Sequence, residues 1–119
     1  MKGLICITAL VIVAGCSSGH KASGSGFRDL AALCTAMGAG QFTEDPTPHE
    51  LGTADEGNCG GDPTTIVYLF ASPRAVQSWY GVARIAGGTY VVGDRWAISP
   101  DDAGKARAYQ AKVGGQIRS

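Results

Sequence analysis

Nucleophilic or metal chemistry in this 119-residue chain has few places to start. The thiols are Cys6, Cys16, Cys34 and Cys59, and the imidazoles are His20 and His49. A hydrolytic site needs a nucleophile beside a base. His20 lies in a Ser/Gly-rich run and His49 in a Pro-rich acidic one, and neither sits beside a plausible serine. No G-x-S-x-G occurs, and the glycines from Gly19 to Gly26 follow no strand, so they form no phosphate loop. Glu44, Asp45 and Glu50 could pair as carboxylates, but closeness in a loop says nothing of their acidity. Two cysteines without C-x-x-C spacing and one histidine fall short of a four-ligand zinc site. Ten Lys+Arg balance ten Asp+Glu, which removes the basic excess that nucleic-acid binding requires. The sequence therefore reads as no enzyme, with no cofactor, no catalytic residue, no metal ligand and no nucleic-acid partner.

The one thiol in a recognisable chemical setting is Cys16. It closes the stretch MKGLICITALVIVAGC, in which Lys2 is a short positive lead and Leu4–Val13 is an apolar run. Such a run suits a secretory h-region of about 7–15 residues and is too short for a membrane span of about 20. Its end, Val13-Ala14-Gly15-Cys16, resembles a bacterial lipobox: an aliphatic residue, two small ones, then cysteine. The resemblance implies cleavage before Cys16 and a diacylglycerol on its sulfur. Residues 1–15 are then a lipoprotein signal peptide. Residues 16–26 are the lipidated cysteine and a Ser/Gly tether, SSGHKASGSG. Ten such residues have a typical reach of about 17 Å. Two acyl chains meet the two-signal requirement for stable anchoring. The expected location is the extracytoplasmic face of the cell membrane.

That address decides the cysteine arithmetic. Cys6 leaves with the signal and Cys16 carries lipid. Cys34 and Cys59 remain as one pair in an oxidising compartment, so a disulfide is expected. In the chain-entropy account it would contribute about 3 kcal/mol.

Residues 27–119 must then supply one small domain. Phe27, Leu30, Ala31, Leu33, Cys34 and Met37 follow helical spacing, and Gly38 and Gly40 end it. Residues 41–63 hold three prolines, four glycines and six acids without a Lys or Arg, and read as a solvated loop held by Cys59. Thr64–Ala71 is apolar on both faces and rich in β-formers, the mark of a central strand. Ser72-Pro73 opens a helix with Val76, Trp79, Tyr80, Ala83 and Ala86 inward, and Gly87-Gly88 stops it. Thr89–Val92 and Arg95–Ser99 flank Gly93-Asp94, a two-residue hairpin signal. That turn would set Val92 opposite Arg95 and place Val91, Trp96 and Ile98 on one face. Ser99-Pro100 starts a helix over 100–113, with Asp102 in the reciprocal capping position and Ala103, Ala106, Tyr109 and Val113 inward. Gln116–Ser119 can add an edge strand. Among the aromatics, Tyr90 is the one expected to be exposed.

The expected fold is α+β, a ferredoxin-like split βαβ (βαββαβ) antiparallel sheet of order 4-1-3-2. Both of its helices would lie on one face, with the N-terminal helix added and one disulfide. YLFASPRAVQSWY and VVGDRWAISPDDAGKARAYQAKVGG, with the lipobox and tether, resemble small secreted lipoproteins of high-GC Gram-positive bacteria and their phages. The positions concerned are Val91, Gly93, Trp96, Ala97, Gly114 and Gly115. That resemblance implies no activity and no site residue. The function expected is a membrane-anchored, non-catalytic module that binds an envelope component or a protein. The alternative is an envelope metal-binding protein or enzyme built on 41–63, with His49, Glu50 and neighbouring acids as ligands. Residues 64–119 carry seven bases against three acids, read as solvated helix faces complementing the acidic segment.

Overall fold

The computed structural model describes residues 26–46 and 52–119. Residues 1–25, which include the expected signal peptide, Cys16 and nearly all of the expected tether, and His49 and Glu50 lie outside the described residues. The elements run α1 (Leu30–Met37), β1 (Phe42–Glu44), β2 (Thr53–Cys59), β3 (Ile66–Phe70) and α2 (Pro73–Ala83). A 3-10 turn (Arg84–Ala86), β4 (Tyr90–Val92), β5 (Trp96–Ser99), α3 (Ala103–Val113) and β6 (Gln116–Arg118) complete them. The strands form one six-stranded antiparallel sheet in the order β1-β2-β3-β5-β4-β6. The fold is α+β, and Cys34 and Cys59 are bonded.

Each face of the sheet has its own core, because successive strand residues point to opposite sides. Val67, Val91, Trp96 and Ile98 face α1 and α3, and pack with Leu30, Leu33, Met37, Ala106, Val113 and the disulfide. Tyr68, Phe70, Tyr90, Val92 and Ala97 face α2 and pack with Val76, Trp79 and Tyr80. Two-sided cover is why β3 is apolar throughout.

Local signals place the helices. Ser72 accepts from the Ala75 N–H, with Pro73 at the first turn of α2. Asp29 caps α1 by accepting from Ala32 N, so that helix begins at Leu30 and not at Phe27. Ala31 of the expected stripe is exposed. Asp102, not Ser99, is the N-cap of α3 and accepts from Lys105 N. The chain stays extended through Ser99, which pairs with Ile66, and this delays α3 to Ala103. Ala106 and Val113 are buried as expected, while Ala103 and, in the 3-10 turn, Ala86 are exposed.

Three sequence expectations are corrected. First, residues 41–63 are not a plain loop, because β1 and β2 come from them and extend the sheet by two strands. Disulfide bonding holds Cys59 on α1, and the Asn58 side-chain amide donates to the carbonyls of Asp62 and Thr65. These contacts fix β2 beside β3 despite poor β-formers such as Asp55, Glu56 and Gly57.

Second, β6 does form, but it pairs with β4 through Tyr90–Arg118, Val91–Ile117 and Val92–Gln116. The edge of β3 where a 4-1-3-2 sheet would seat it is taken by β2. This changes the helices too. In a 4-1-3-2 sheet the two crossovers step sideways in opposite directions from antiparallel strands. The right-handed rule for split βαβ units then places both helices on one face. Here β3-α2-β4 and β5-α3-β6 step the same way. The same rule demands opposite faces, and α2 and α3 are so placed.

Third, Tyr90 is buried, and its hydroxyl donates to the Ala83 carbonyl at 2.8 Å.

Candidate functional site

The sequence singled out thiols and acids, and the structure brings one such group together covalently. Cys34 and Cys59 are both buried, with Cα atoms 5.5 Å apart. The Met37 thioether lies 3.9 Å from the Cys59 sulfur. No solvent reaches this sulfur cluster, so the bond is a staple between α1 and β2 and not an accessible redox pair.

The described acids of 41–63, namely Glu44, Asp45, Asp55, Glu56 and Asp62, lie on or beside two strands and in a turn. The Glu56 carbonyl accepts from Asp45 N at 2.9 Å, and Asp55 accepts from Glu56 N at 3.0 Å. Glu44, Asp45 and Glu56 each have further partners. Among the described residues no group of three His, Cys, Asp or Glu side chains is placed to hold a metal ion. The proposed ligands His49 and Glu50 lie outside the described residues.

Asp62 is the acid with the clearest local function. Its Oδ1 accepts from the Thr64 hydroxyl at 2.6 Å and from the Thr64 N–H at 2.9 Å. These bonds hold its carboxyl below the ordinary aspartate range, the hydroxyl contributing most. Lys105 lies 3.0 Å from Asp101 and 3.7 Å from Asp62. The hydrogen bond that the Lys105 ammonium donates to the Asp101 carboxylate is the main reason it is held above its ordinary range. The group joins the β2–β3 turn to the start of α3. It is solvent-exposed, so it positions the turn more than it stabilises the fold.

Trp96 is the largest of the fully buried side chains. Its ring meets Phe27 edge-on with centroids 5.6 Å apart. A Cβ on Gly93 would fall 2.0 Å from Trp96 Cε2 and 2.3 Å from Nε1. Gly93 is therefore small because the indole lies across it, and its φ is not positive. The hairpin register follows from this. Val92 faces Ala97 and Val91 faces Ile98, which puts Asp94-Arg95 at the tip in place of Gly93-Asp94. Both strands shift together, so facing residues keep their parity, and Val91, Trp96 and Ile98 share a face as expected. Among the described residues the buried Trp96 Nε1 has no hydrogen-bond partner.

Two surface features were not anticipated. Val82 and Ile85 are exposed, Ile85 to 81%. They lie off the buried stripe of α2, a mismatch visible in the sequence as apolar residues at non-stripe positions. At the C-terminal strand, Arg118 lies 4.4 Å over the Tyr80 ring, and the Tyr80 hydroxyl donates to the Ser119 carbonyl at 3.0 Å. A cation over an aromatic ring has no sequence pattern, and only the β4–β6 pairing brings it about.

No protein-family model, curated protein or solved structure matches the chain. Among the described residues no helix is long and apolar enough to cross a membrane.

Proposed function

We propose that the chain is an extracytoplasmic lipoprotein, held to the membrane through Cys16, that serves as a non-catalytic binding module of the cell envelope. The observation that supports this reading is the division of labour among its cysteines. Cys16 stands at the end of a lipobox-like stretch, and the remaining mature pair is bonded and buried. A buried structural disulfide suits an oxidising compartment outside the cytoplasm. The tether between Cys16 and Phe27 has the composition of a spacer. The domain it would carry is a covalently stapled sheet with helices on both sides. Val82 and Ile85 are the large aliphatic side chains it presents most openly at one end. A partner of this module would meet the pair there.

The test is metabolic labelling with a fatty-acid analogue, followed by fractionation. The wild-type chain is expected to take up label and sediment with membranes. Cys16→Ala is expected to abolish labelling and to lose membrane retention. Retention of that variant on membranes to the wild-type extent refutes the anchor.

A further inference from the structure

Among the described residues the sheet ends at two strands with no strand on their outer side, β1 and β6. Every neighbouring pair across the sheet is antiparallel. Six strands in alternation leave β1 and β6 running in opposite directions. A second copy shifted sideways therefore brings its β6 antiparallel to β1, the pairing used everywhere else in the sheet. The backbone N–H and C=O groups of an open edge are a template for such an added strand.

Charge is divided across this strand order. The residues that build β1 and β2 hold Glu44, Asp45, Asp55 and Glu56, with no Lys or Arg. These acids have contacts of their own, so what is divided is net charge and not unpaired groups. From β3 to β6, Arg74, Arg84, Arg95, Arg107, Lys112 and Arg118 outnumber Asp94 and Asp102. Lys105, bridging Asp62 and Asp101, sits between the two halves. Arg28 and Asp29, ahead of α1, cancel. The edge strands themselves carry one charge each, Glu44 on β1 and Arg118 on β6.

Apolar surface follows the same order. Ile117 of β6 is 38% exposed, and its partner Val91 belongs to the face covered by α1 and α3. Phe42 of β1 is half-buried against the cluster on that same face. A joined sheet that keeps α1 and α3 on one side lays Ile117 beside Phe42.

The geometry points to head-to-tail association with a second copy of this chain, in which β6 of one molecule adds to β1 of the next. Two β1 edges would set Glu44 against Glu44, and two β6 edges Arg118 against Arg118, and like charges on facing strands are destabilising. The contact is heterologous, so it repeats along a row and does not close as a two-fold pair. Its short edges and its reliance on charge make it weak and sensitive to salt. It is independent of the lipid anchor, and the chain carries both halves of the contact wherever it resides.

The test uses the full chain in non-ionic detergent, with benzoylphenylalanine at position 43 on the outer strand. Light and heavy-isotope chains are mixed, irradiated and digested, so that adducts between molecules are told from those within one. Adducts joining position 43 to residues 115–119 of another molecule are expected. Glu44→Arg alone and Arg118→Glu alone are each expected to lower their yield about fivefold, and the two together in one chain to restore it. Arg118→Glu also gives up the Tyr80 ring, so ionic strength supplies the same reading without a substitution. Raising salt to about 0.5 M is expected to lower the unsubstituted yield to a similar degree. Adducts to residues 42–44 of the other molecule, or none between molecules, overturn the head-to-tail order. A yield indifferent to salt, or a double variant no better than Glu44→Arg alone, overturns the charge pairing that selects it. Labelling of Cys16→Ala in cells succeeds or fails separately from all of these outcomes.

Discussion

Gly93→Ala adds one methyl group to the chain, and the structure specifies where it lands. The new Cβ would lie 2.0 Å from Trp96 Cε2, 2.3 Å from Nε1 and 2.5 Å from Cζ2. Ordinary carbon–carbon contact is about 3.5 Å, so the indole would have to retreat by roughly 1.5 Å. Little room exists for that. Gly115 also lies close to the indole, since a Cβ there would stand 3.0 Å from Trp96 Cη2, and Phe27 meets the ring edge-on. Overpacking of this kind costs about 2–3 kcal/mol, at the upper end of the usual range. For a domain of this size that lowers the thermal midpoint by roughly 8–24 °C. The informative measurement is a double-mutant cycle with Trp96→Phe, read by urea denaturation of the oxidised protein. Phenylalanine removes the ring edge that the new methyl would strike, at a cost of about 1–2 kcal/mol by itself. The double variant is expected to fall short of the summed losses by about 1–2 kcal/mol. Were Gly93 required for the conformation of the turn, alanine would be strained whatever faced it. The two losses would then add within about 0.5 kcal/mol, and that result refutes the packing argument.

Replacing both Cys34 and Cys59 by alanine should cost about 3 kcal/mol, since the bond joins residues 25 apart, and should lower the urea midpoint accordingly. Non-reducing peptide mapping should recover the two segments as one linked species, and two free thiols would remove the basis of that figure. Asp62 should titrate below an ordinary aspartate in an NMR pH series, and Thr64→Val should raise its midpoint. Because the folded-state value is the lower one, the contribution of Asp62 to stability is present above its unfolded value. It is lost as pH falls through the folded value. An unchanged midpoint in Thr64→Val would show that the hydroxyl is not the cause.

How far the sequence discloses this fold depends on whether a residue acts locally or at a distance. Ser72-Pro73 reads correctly because capping and the fixed φ of proline act within one turn. Cys34 and Cys59 read correctly because chemistry leaves them a single choice of partner. Gly93 misleads because a glycine needed for close packing looks the same as one needed for a turn, and only the buried indole distinguishes them. Tyr90 misleads because its acceptor, the Ala83 carbonyl, is freed by the fraying end of α2 into a 3-10 turn. Residues 53–59 carry no alternating apolar pattern, and their pairing depends on Asn58 and Cys59 contacts that no periodicity announces. For the candidate site, the resemblance of Val13-Ala14-Gly15-Cys16 to a lipobox lies wholly in the linear sequence. The stacking of Arg118 on Tyr80 exists only after the strands are ordered.

The placement of residues 53–59 therefore has consequences for the whole molecule. Gly57 lets β1 approach β2, since a Cβ there would stand 2.1 Å from the Thr43 carbonyl oxygen and against the Phe42 ring. With β1 and β2 zipped together and Cys59 bonded to α1, the outer edge of β3 is closed. The C-terminal strand must then use the free edge of β4, and Tyr80 meets Arg118 and Ser119 there. Right-handed crossover in turn sends α3 to the face opposite α2. The disulfide brings α1 to that same face, because Cys59 faces it. Phe27, three residues ahead of that helix, is thereby set against Trp96 beside the β4–β5 hairpin. A four-stranded sheet with both crossover helices on one face would give α1 the other face to itself. The face on which α1 and Phe27 settle follows from one short, polar, unpromising strand.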